Sequence, residues 1–312
     1  MVIFDSSGKM TTNMKSTLGF KKTAFILVTV LFIISLFGIV YFYLINGSVT
    51  NFNSARAYQD ILYQSALGPR IPGSEAHMRE VDWIKNELGK EKWQVETQEG
   101  NLGGHPIQNL IAKRGTGTPW IIIGAHYDSR FFADQDLDLN NRQKPVPGAN
   151  DGASGVAVLL ELARVLPQEM NKEIWLVFFD AEDQGDINGW NWILGSRYFA
   201  SRLEGKPDAV VVIDMIGDSN LNIYYETNSD PDLSKSIWES AAKVGYQKQF
   251  IPKPKYSVLD DHTPFIENGI KAADIIDFDY PYWHTIADTS DKVSPESLRA
   301  VGETLINWIN TQ

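Results

Sequence analysis

Three carboxylates stand within four residues directly after an apolar run of the sequence. Residues 174–179 are all apolar, with β-branched and aromatic types among them, which predicts a buried strand. Asp180, Glu182 and Asp183 follow this strand. Because carboxylates repel one another, crowding them at the end of a core strand is costly unless a divalent cation neutralises them. For these residues taken alone, a solvated loop after the strand is the alternative.

Other polar side chains follow apolar runs in the same way. His126 and Asp214 each come after a predicted buried strand, while Asp151 precedes an apolar helix pattern and His284 lies near the C-terminus. Ligands of open α/β sheets bind beyond the carboxyl ends of the strands, so we expect these side chains to gather at that edge. Carboxylate oxygens and imidazole nitrogens without sulfur suit a catalytic zinc with open coordination. Taken alone, Asp151 has a simpler alternative as a helix N-cap.

Apolar strands alternate with helical patterns over residues 55–312. The patterns predict strands at 93–97, 109–112, 120–124, 174–179, 209–213 and 273–276, and helices at 54–65, 75–88, 155–166 and 295–309. Ser74 and Ser294 are the predicted N-caps of two of these helices. Strands that alternate with helices indicate an α/β fold, here a three-layer sandwich with a mostly parallel central sheet.

An uncharged, strongly apolar segment precedes this region at residues 23–45. As a helix it would span roughly 35 Å at about 1.5 Å per residue, enough to cross a bilayer. Four lysines and one aspartate precede it, and positive flanks stay in the cytoplasm. We therefore expect a single-pass signal anchor, with 1–22 as a cytoplasmic tail, 46–54 as a linker and 55–312 as an extracytoplasmic catalytic domain. The alternative is a cleaved signal peptide, although the run is long for one and no A-x-A-like site follows.

The composition excludes several classes of site and partner. The 312 residues contain no cysteine, so disulfides, thiolate metal ligands and cysteine nucleophiles are absent. The formal net charge of −11 argues against nucleic acid as a partner.

Six motifs appear in a fixed order along the chain. They are AHYDS, PGANDGASGVAVLLELARVL, FFDAED, VIDMIGD, DDHTPF and YWHT. In order and spacing the sequence resembles the M28 zinc-peptidase family over about residues 55–312. Within that family it is most similar to the glutaminyl cyclases, through HYDSRFF, the Trp-rich segment 185–194 and the Trp283-His284 pair. The resemblance implies the fold of the zinc aminopeptidases, also described as phosphorylase/hydrolase-like.

The resemblance also implies a ligand set. In the cyclase pattern one zinc ion is held by the residues that match Asp151, Asp183 and His284. In the two-zinc aminopeptidases the residues that match His126 and Asp214 hold a second metal, and Asp151 bridges. At Asp183 the family usually has Glu, whose side chain is one methylene longer. One zinc ion or two therefore fits the sequence.

The same resemblance implies the residues that move protons and form the substrate pocket. The residue that matches Glu182 is the general acid and base, assisted by those that match Asp214 and Asp260. Trp283 stands beside a proposed ligand, and the Trp-rich segment contributes Trp190 and Trp192. We expect these tryptophans to wall a small, dry pocket; core packing is the alternative for each.

The implied function is that of a zinc-dependent glutaminyl-peptide cyclotransferase. Such an enzyme converts the N-terminal glutamine of peptides or proteins to pyroglutamate and releases ammonia. The alternative is an M28-type zinc aminopeptidase that hydrolyses N-terminal residues. A non-catalytic receptor or scaffold on the same fold is less favoured, because the proposed base and every proposed ligand position carry competent side chains.

The remaining histidines and one acidic loop need separate interpretation. His77 and His105 fit solvated surface positions, whereas His262 fits a structural group near the site better than a ligand. The polar loop 131–147 carries alternating aspartates but lacks the glycine and terminal Glu of an EF-hand. We therefore expect a solvated loop near the rim of the site.

Overall fold

The computed structural model describes residues 51–312, together with Ser6, Ser7, Phe25, Thr29, Phe32, Ile33 and Ser35. The predicted tail 1–22, the predicted transmembrane segment 23–45 and part of the predicted linker otherwise lie outside the described residues. Among the residues that are described, no helix is long and apolar enough to cross a membrane. The chain divides into two units after residue 49, and the second contains all of the predicted domain 55–312.

The described part of the second unit contains eight strands and seven α-helices. The strands are β1 Gln94–Leu102, β2 His105–Arg114, β3 Trp120–His126, β4 Glu173–Phe179, β5 Ala209–Asp214, β6 Ile223–Glu226, β7 Phe250–Tyr256 and β8 Ala272–Ile276. The helices are α1 Ser54–Leu67, α2 Glu75–Lys90, α3 Ala153–Val165, α4 Leu194–Ala200, α5 Pro231–Lys243, α6 Thr263–Glu267 and α7 Pro295–Thr311.

Six strands form the central sheet in the order β1-β2-β4-β3-β5-β8. The strands β4, β3, β5 and β8 run parallel to one another, whereas β2 is antiparallel to both β1 and β4. The parallel strands are apolar on both faces because helices cover both faces. The predicted α/β class is confirmed, and the sheet is mixed, with its two antiparallel pairs on one side.

The helices form the outer layers of a three-layer sandwich. The helices α1, α2, α3, α5 and α7 pack with Ile123, Leu176 and Val211 of the sheet in one apolar cluster. On the opposite face α4 and α6 contribute Phe199 and Phe265 to a second cluster. Alternate residues of the same strands therefore serve the two cores, as the period of two in a strand requires.

The two predicted serine caps are confirmed. The Ser74 side chain accepts a hydrogen bond from the His77 backbone N–H at the start of α2, and the Ser294 side chain accepts one from Ser297 at the start of α7. Each bond satisfies one of the free N–H groups in the first turn of its helix.

A small second sheet was not expected from the sequence. Here β6 pairs with β7 in parallel, and α5 is the crossover between them. The β7 sequence, Phe-Ile-Pro-Lys-Pro-Lys-Tyr, contains two prolines, which cannot donate to a strand ladder and confine such a segment to an edge. The register of the pair shifts around Pro254.

Candidate active site

The carboxyl ends of three parallel strands place acidic and imidazole groups together. His126 ends β3 and lies in register with Phe179, which ends β4. Asp214 ends β5. Glu182 and Asp183 lie in the turn that follows β4. The predicted gathering of polar residues at this edge of the sheet is therefore observed.

Asp151 and His284 reach the same edge from loops. Asp151 directly precedes α3, whose N-cap is Gly152 with φ 89°. A Cβ at Gly152 would lie 2.7 Å from the Asp128 carbonyl oxygen, so this backbone path requires glycine. Capping by Asp151 is therefore the wrong explanation for that residue, because its side chain faces the site instead. His284 also has a left-handed backbone, with φ 53°.

The candidate ligands form two groups that share Asp151. The His126 group comprises His126, Asp151 and Asp214, and the His284 group comprises Asp151, Asp183 and His284. His126 Nε2 lies 3.1 Å from Asp151 Oδ1 and 3.1 Å from Asp214 Oδ1. His284 Nε2 lies 2.8 Å from Asp183 Oδ1 and 3.7 Å from Asp151 Oδ2. Asp151 thus offers one oxygen to each group.

The His284 group has the chemistry of a zinc site. Asp151 Oδ2 and Asp183 Oδ2 are buried and have no hydrogen-bond partner among the described residues. Buried, unpaired carboxylate oxygens beside an imidazole nitrogen match the ligands that zinc takes in catalytic sites. The shorter Asp183 side chain still brings its carboxylate to His284, so the missing methylene does not separate the ligands. The residues present therefore fit a zinc ion.

Burial opposes ionisation of the candidate carboxylate ligands, although at Asp151 the neighbouring His126 and His284 overcome it and lower the pKa. Burial raises the pKa of Asp183 to about 6 and the pKa of Asp214 to about 7. In both cases the nearby histidine opposes the effect of burial. A bound cation stabilises the charged form of such carboxyls, which is a further reason for a metal at this place.

Asp128, which sequence reasoning did not select, holds the acidic turn. Its carboxylate accepts hydrogen bonds from the backbone N–H groups of Glu182 (3.0 Å) and Asp183 (3.2 Å) and from Gln184 Nε2 (2.8 Å). It also lies 3.5 Å from His126 Nδ1. Such contacts fix the orientation of ligand side chains. The available signal was its place within the AHYDS motif.

Asp288 has a similar role beneath Asp151. Its carboxylate accepts hydrogen bonds from the backbone N–H groups of Asn150 (2.9 Å) and Asp151 (3.2 Å) and from the Tyr280 hydroxyl (2.7 Å). No motif in the sequence pointed to this residue. The contact joins segments that are far apart in the chain, so no local pattern reports it.

Arg130 connects a ligand to the wall of the site. Its Nη1 donates to the Asp183 carbonyl oxygen at 2.9 Å, and its Nε donates to Asp134 at 2.8 Å. The guanidinium lies 4.6 Å from the Trp192 ring, within cation–π range. Asp134 in turn lies 3.6 Å from His284 Nδ1. The acidic loop therefore adjoins the site rim.

Glu182 lies inside the site with 7% of its surface exposed. Burial raises the pKa of the Glu182 carboxyl well above its ordinary value, and the negative charges of Asp183 and Asp260 add to this effect. Ala181, the preceding residue, has φ 53°, which marks a tight turn at the end of β4. A carboxyl with high proton affinity beside a ligand group is suited to general acid and base chemistry.

A cavity of about 240 Å³ opens between these groups. Its lining includes the carboxyls of Asp151, Glu182, Asp183, Asp214 and Asp260 and apolar side chains of Trp192, Val258, Ile276, Phe278 and Trp283. The rings of Trp283 and Trp192 lie 3.8 Å and 5.9 Å from the His284 ring and stack on it. The cavity thus has an acidic floor and aromatic walls.

The structure does not place Trp190 at this cavity. Its ring stacks on half-exposed His105 at 3.9 Å and packs against Leu102 and Tyr198 in a separate apolar cluster. Trp190 and Trp192 are two residues apart in a turn, and the chain directs the two rings to different places. Core packing is therefore the better interpretation of Trp190.

The prediction that His77 is a solvated surface residue is wrong. The side chain is buried, and its Nε2 lies 2.8 Å from Asp180 Oδ1. Its ring stacks on Tyr127 at 5.0 Å. Helix α2 packs beside the end of β4, so the first of the three carboxylates pairs with a histidine and not with the metal groups.

Two solved structures are similar to this chain, and the two proteins are named for different activities. One is a glutaminyl cyclase from Porphyromonas gingivalis, 33% identical, with a TM-score of 0.80 over 84% of this chain and 99% of that chain. The other is a leucine aminopeptidase precursor from Bacteroides thetaiotaomicron, 32% identical, with a TM-score of 0.79 over 85% of this chain and 99% of that chain.

A curated relative adds a third similarity. An aminopeptidase of Bacillus subtilis is 32% identical over 200 residues, which are 59% of this chain and 39% of the relative. The chain therefore spans about two fifths of the length of that relative.

A family model matches residues 109–309, the segment that contains every candidate ligand and Glu182. The model is that of peptidase family M28. The match covers well over half of the chain and agrees with the α/β fold and with the zinc-compatible His284 group. The chain belongs to peptidase family M28.

Proposed function

We propose that the protein is a zinc-dependent glutaminyl-peptide cyclotransferase. The observation that carries the proposal is the small cavity lined together by Glu182, the His284 group and the aromatic side chains of Trp192 and Trp283. A cavity of about 240 Å³ suits one amino-acid side chain. The acidic floor suits the neutral N-terminal amine of a peptide, which can donate hydrogen bonds to these carboxyls.

The chain's own residues can perform the proton transfers of cyclisation. When bound at Asp151, Asp183 and His284, zinc supplies a Lewis acid that polarises the γ-carbonyl of the substrate glutamine. Glu182 takes a proton from the α-amine as that nitrogen bonds to the γ-carbon. The bond from the γ-carbon to the amide nitrogen then breaks, and Glu182 returns the proton to the departing ammonia. Acid and base catalysis of this kind contributes about 10²- to 10⁴-fold in rate.

The two other proposed acidic groups act on Glu182 and on the substrate. Asp260 lines the cavity, and its charge raises the proton affinity of the Glu182 carboxyl. Asp214 lines the same cavity at the end of β5 and contacts His126. Trp192 and Trp283 exclude water from the reacting atoms, which favours attack by the substrate's own amine over hydrolysis.

A second candidate function is supported by the shared carboxylate. Because Asp151 offers one oxygen to each ligand group, the geometry also accommodates a pair of zinc ions, as an aminopeptidase would use. In that reaction Glu182 takes a proton from the attacking water and gives it to the departing amine. The same base therefore serves either reaction. The presence of competent groups at all these positions argues against a non-catalytic scaffold.

The products distinguish the two reactions. Purified protein is incubated with a Gln-initiated and a Leu-initiated peptide of otherwise identical sequence, and the products are identified by mass. We expect the Gln-initiated peptide to lose ammonia with every peptide bond intact, and the Leu-initiated peptide to remain unchanged. Release of free leucine would instead establish the aminopeptidase.

We further propose that the domain lies outside the cytoplasm on a single-pass anchor at residues 23–45. The uncharged apolar run and the preceding lysines support this proposal. Protease added to intact cells should release the domain, whereas a control cytoplasmic protein stays intact. Digestion only after lysis would contradict this orientation.

A further inference from the structure

A second histidine and carboxylate cluster lies behind the cavity wall that contains Asp260. His262 is completely buried, and its two ring nitrogens face different carboxylates. Nε2 lies 3.1 Å from Glu226 Oε2, and Nδ1 lies 3.8 Å from Asp274 Oδ2. Ligand-type atoms of Asp260, His262 and Asp274 all lie within 4.8 Å of one another. The cluster therefore reaches the cavity through Asp260, whereas His262, Asp274 and Glu226 lie outside its lining.

Glu226 is a fixed negative charge at the far end of this cluster. Its carboxylate accepts hydrogen bonds from the backbone N–H groups of Asn228 (2.9 Å), Ser229 (2.8 Å) and Val258 (3.0 Å). Although burial opposes ionisation, these contacts and His262 lower the pKa of Glu226 to about 2. The Glu226 carboxylate faces Nε2 at 3.1 Å, and neither ring nitrogen has a hydrogen-bond partner among the described residues, so this electrostatic contact restrains the ring on that side.

Asp274 is the link between His262 and Asp260. It is 1% exposed, and neither of its carboxyl oxygens has a partner with ordinary hydrogen-bond geometry in the described part of the chain. Ser229 Oγ donates to Glu226 and accepts the Asp274 backbone N–H, so the backbone of β8 is tied to the same anchor. A buried carboxyl with free oxygens takes its orientation from the polar groups around it, which here include the His262 ring and the Asp260 carboxyl.

Asp260 is the residue of this cluster that lines the cavity. It is 3% exposed and lines the cavity together with Glu182. One of its oxygens accepts the backbone N–H of Asp261, and the other has no hydrogen-bond partner within the region described. The orientation of its side chain is thus set only in part by local contacts, and Asp274 lies on its inner side.

We propose that His262 is a positioning residue of the active site: anchored by Glu226, it orients Asp274 and thereby the Asp260 carboxyl that acts on Glu182. The inference rests on the proposed roles of Glu182 and Asp260. It extends the functional region from the cavity to the small sheet of β6 and β7, because Glu226 ends β6.

The test compares His262→Gln and Glu226→Gln with wild type on the substrate that wild type converts. Both substitutions keep the approximate size of the side chain. Glu226→Gln removes the carboxylate charge, and His262→Gln replaces the imidazole ring with an amide. We expect kcat to fall by about 10- to 100-fold, the range seen for residues that orient catalytic groups, with KM changed less than about twofold. Zinc content should equal that of wild type. The control is His105→Gln, a histidine that stacks on Trp190 outside the cavity.

Each result has a definite meaning. If His262→Gln does not fold, Glu226→Gln alone decides, because it leaves the imidazole in place. A change in KM with normal kcat overturns the inference, and so does normal kcat in the folded variants. Loss of a metal equivalent in either variant also overturns it, because the cluster would then be a metal site. A wild-type protein that converts neither peptide would contradict the proposed function itself, together with this inference.

Discussion

Asp151 belongs to two ligand groups whose polar atoms are occupied in different ways. In the His126 group, one imidazole nitrogen lies 3.1 Å from an oxygen of each carboxylate, so both of these oxygens contact His126. In the His284 group, Asp151 Oδ2 and Asp183 Oδ2 lack hydrogen-bond partners among the described residues. The His284 group therefore has free carboxylate oxygens for a cation, whereas the closest oxygens of the His126 group are already in contact with an imidazole.

The side chains that surround the two ligand groups also differ. The His284 group lies against the rings of Trp192 and Trp283 and beside Arg130. The His126 group lies at the end of the sheet, backed by Asp128. The cavity is lined by all three residues of the His284 group and by Asp151 and Asp214 of the His126 group. Under the proposed function, one zinc ion is held by the His284 group. Filling of both groups would indicate the peptidase.

The largest effect should come from removing the unshared histidine of each group. We expect His284→Ala to lose its zinc and its activity, because the group keeps only two carboxylates. We expect wild type and His126→Ala each to contain about one zinc per chain, because the His284 group is intact in both. Elemental analysis of both variants, with a peptide assay, gives the comparison. Two zinc ions in wild type and one in each variant would show that both groups bind metal.

The next effect concerns Glu182, which both reactions use. Glu182→Gln keeps the size of the side chain but cannot transfer the proton. We expect turnover to fall by about 10²-fold or more, with unchanged zinc content and thermal stability. Steady-state kinetics and metal analysis measure the two quantities. Loss of zinc would make Glu182 a ligand, and near-normal turnover would exclude it as the base.

A smaller effect should separate the two tryptophans of the Trp-rich segment. Both are half-buried, but only Trp192 lines the cavity. We expect Trp192→Ala to raise KM for a Gln-initiated peptide by about tenfold, because it removes apolar surface that faces the substrate. Trp190→Ala is the matched control and should leave KM within about twofold. Equal effects of the two substitutions would contradict the assignment of the pocket wall.

The last prediction concerns folding stability, not catalysis, and tests what burial does to a carboxyl outside both ligand groups. Glu80 is fully buried beside Arg70, and burial raises its pKa to about 7. A raised pKa in the folded state favours folding below the unfolded value and loses that contribution as pH rises through 7. Relative to Glu80→Gln, wild type should lose about 3 kcal/mol of unfolding free energy between pH 4.5 and about 8.

Urea unfolding of both proteins across this pH range tests the prediction. Only the pH-dependent part of the difference matters, because the substitution also alters the contact with Arg70. A difference that stays constant with pH would show that Glu80 is charged throughout. The pKa of Glu80 obtained in this way shows how strongly burial opposes ionisation of a carboxyl in this protein. Because burial also raises the pKa of Asp183, the value indicates how much a cation must contribute to ionise that ligand.

The strand ends were predictable because an apolar run followed by a polar residue is a local signal. His126, Asp183 and Asp214 were placed at one edge of the sheet on that basis, and the structure brings them together. Asp128 and Asp288 were not selected, since their importance lies in hydrogen bonds to backbone groups distant in the chain. Periodicity contains no information about such contacts.

Two other differences have local causes that only the folded chain reveals. His77 occupies a helix whose exposed and buried faces both carry polar residues, so its burial against Asp180 was not visible in the pattern. The strand β7 was not predicted because two prolines and two lysines interrupt its apolar pattern, which a small two-stranded sheet tolerates. Its contribution to the functional region depends on its partner β6, which ends at Glu226.

Because Asp151 offers one oxygen to each ligand group, it constrains which substitutions the site can accept during evolution. A substitution of Asp151 affects both groups at once, and Gly152 beside it leaves the backbone no other path. Changes at Asp214 or at Trp192 each touch one group. Under the proposed function, substitutions at such unshared positions alter one ligand group and leave the other unchanged, whereas any substitution of Asp151 alters both.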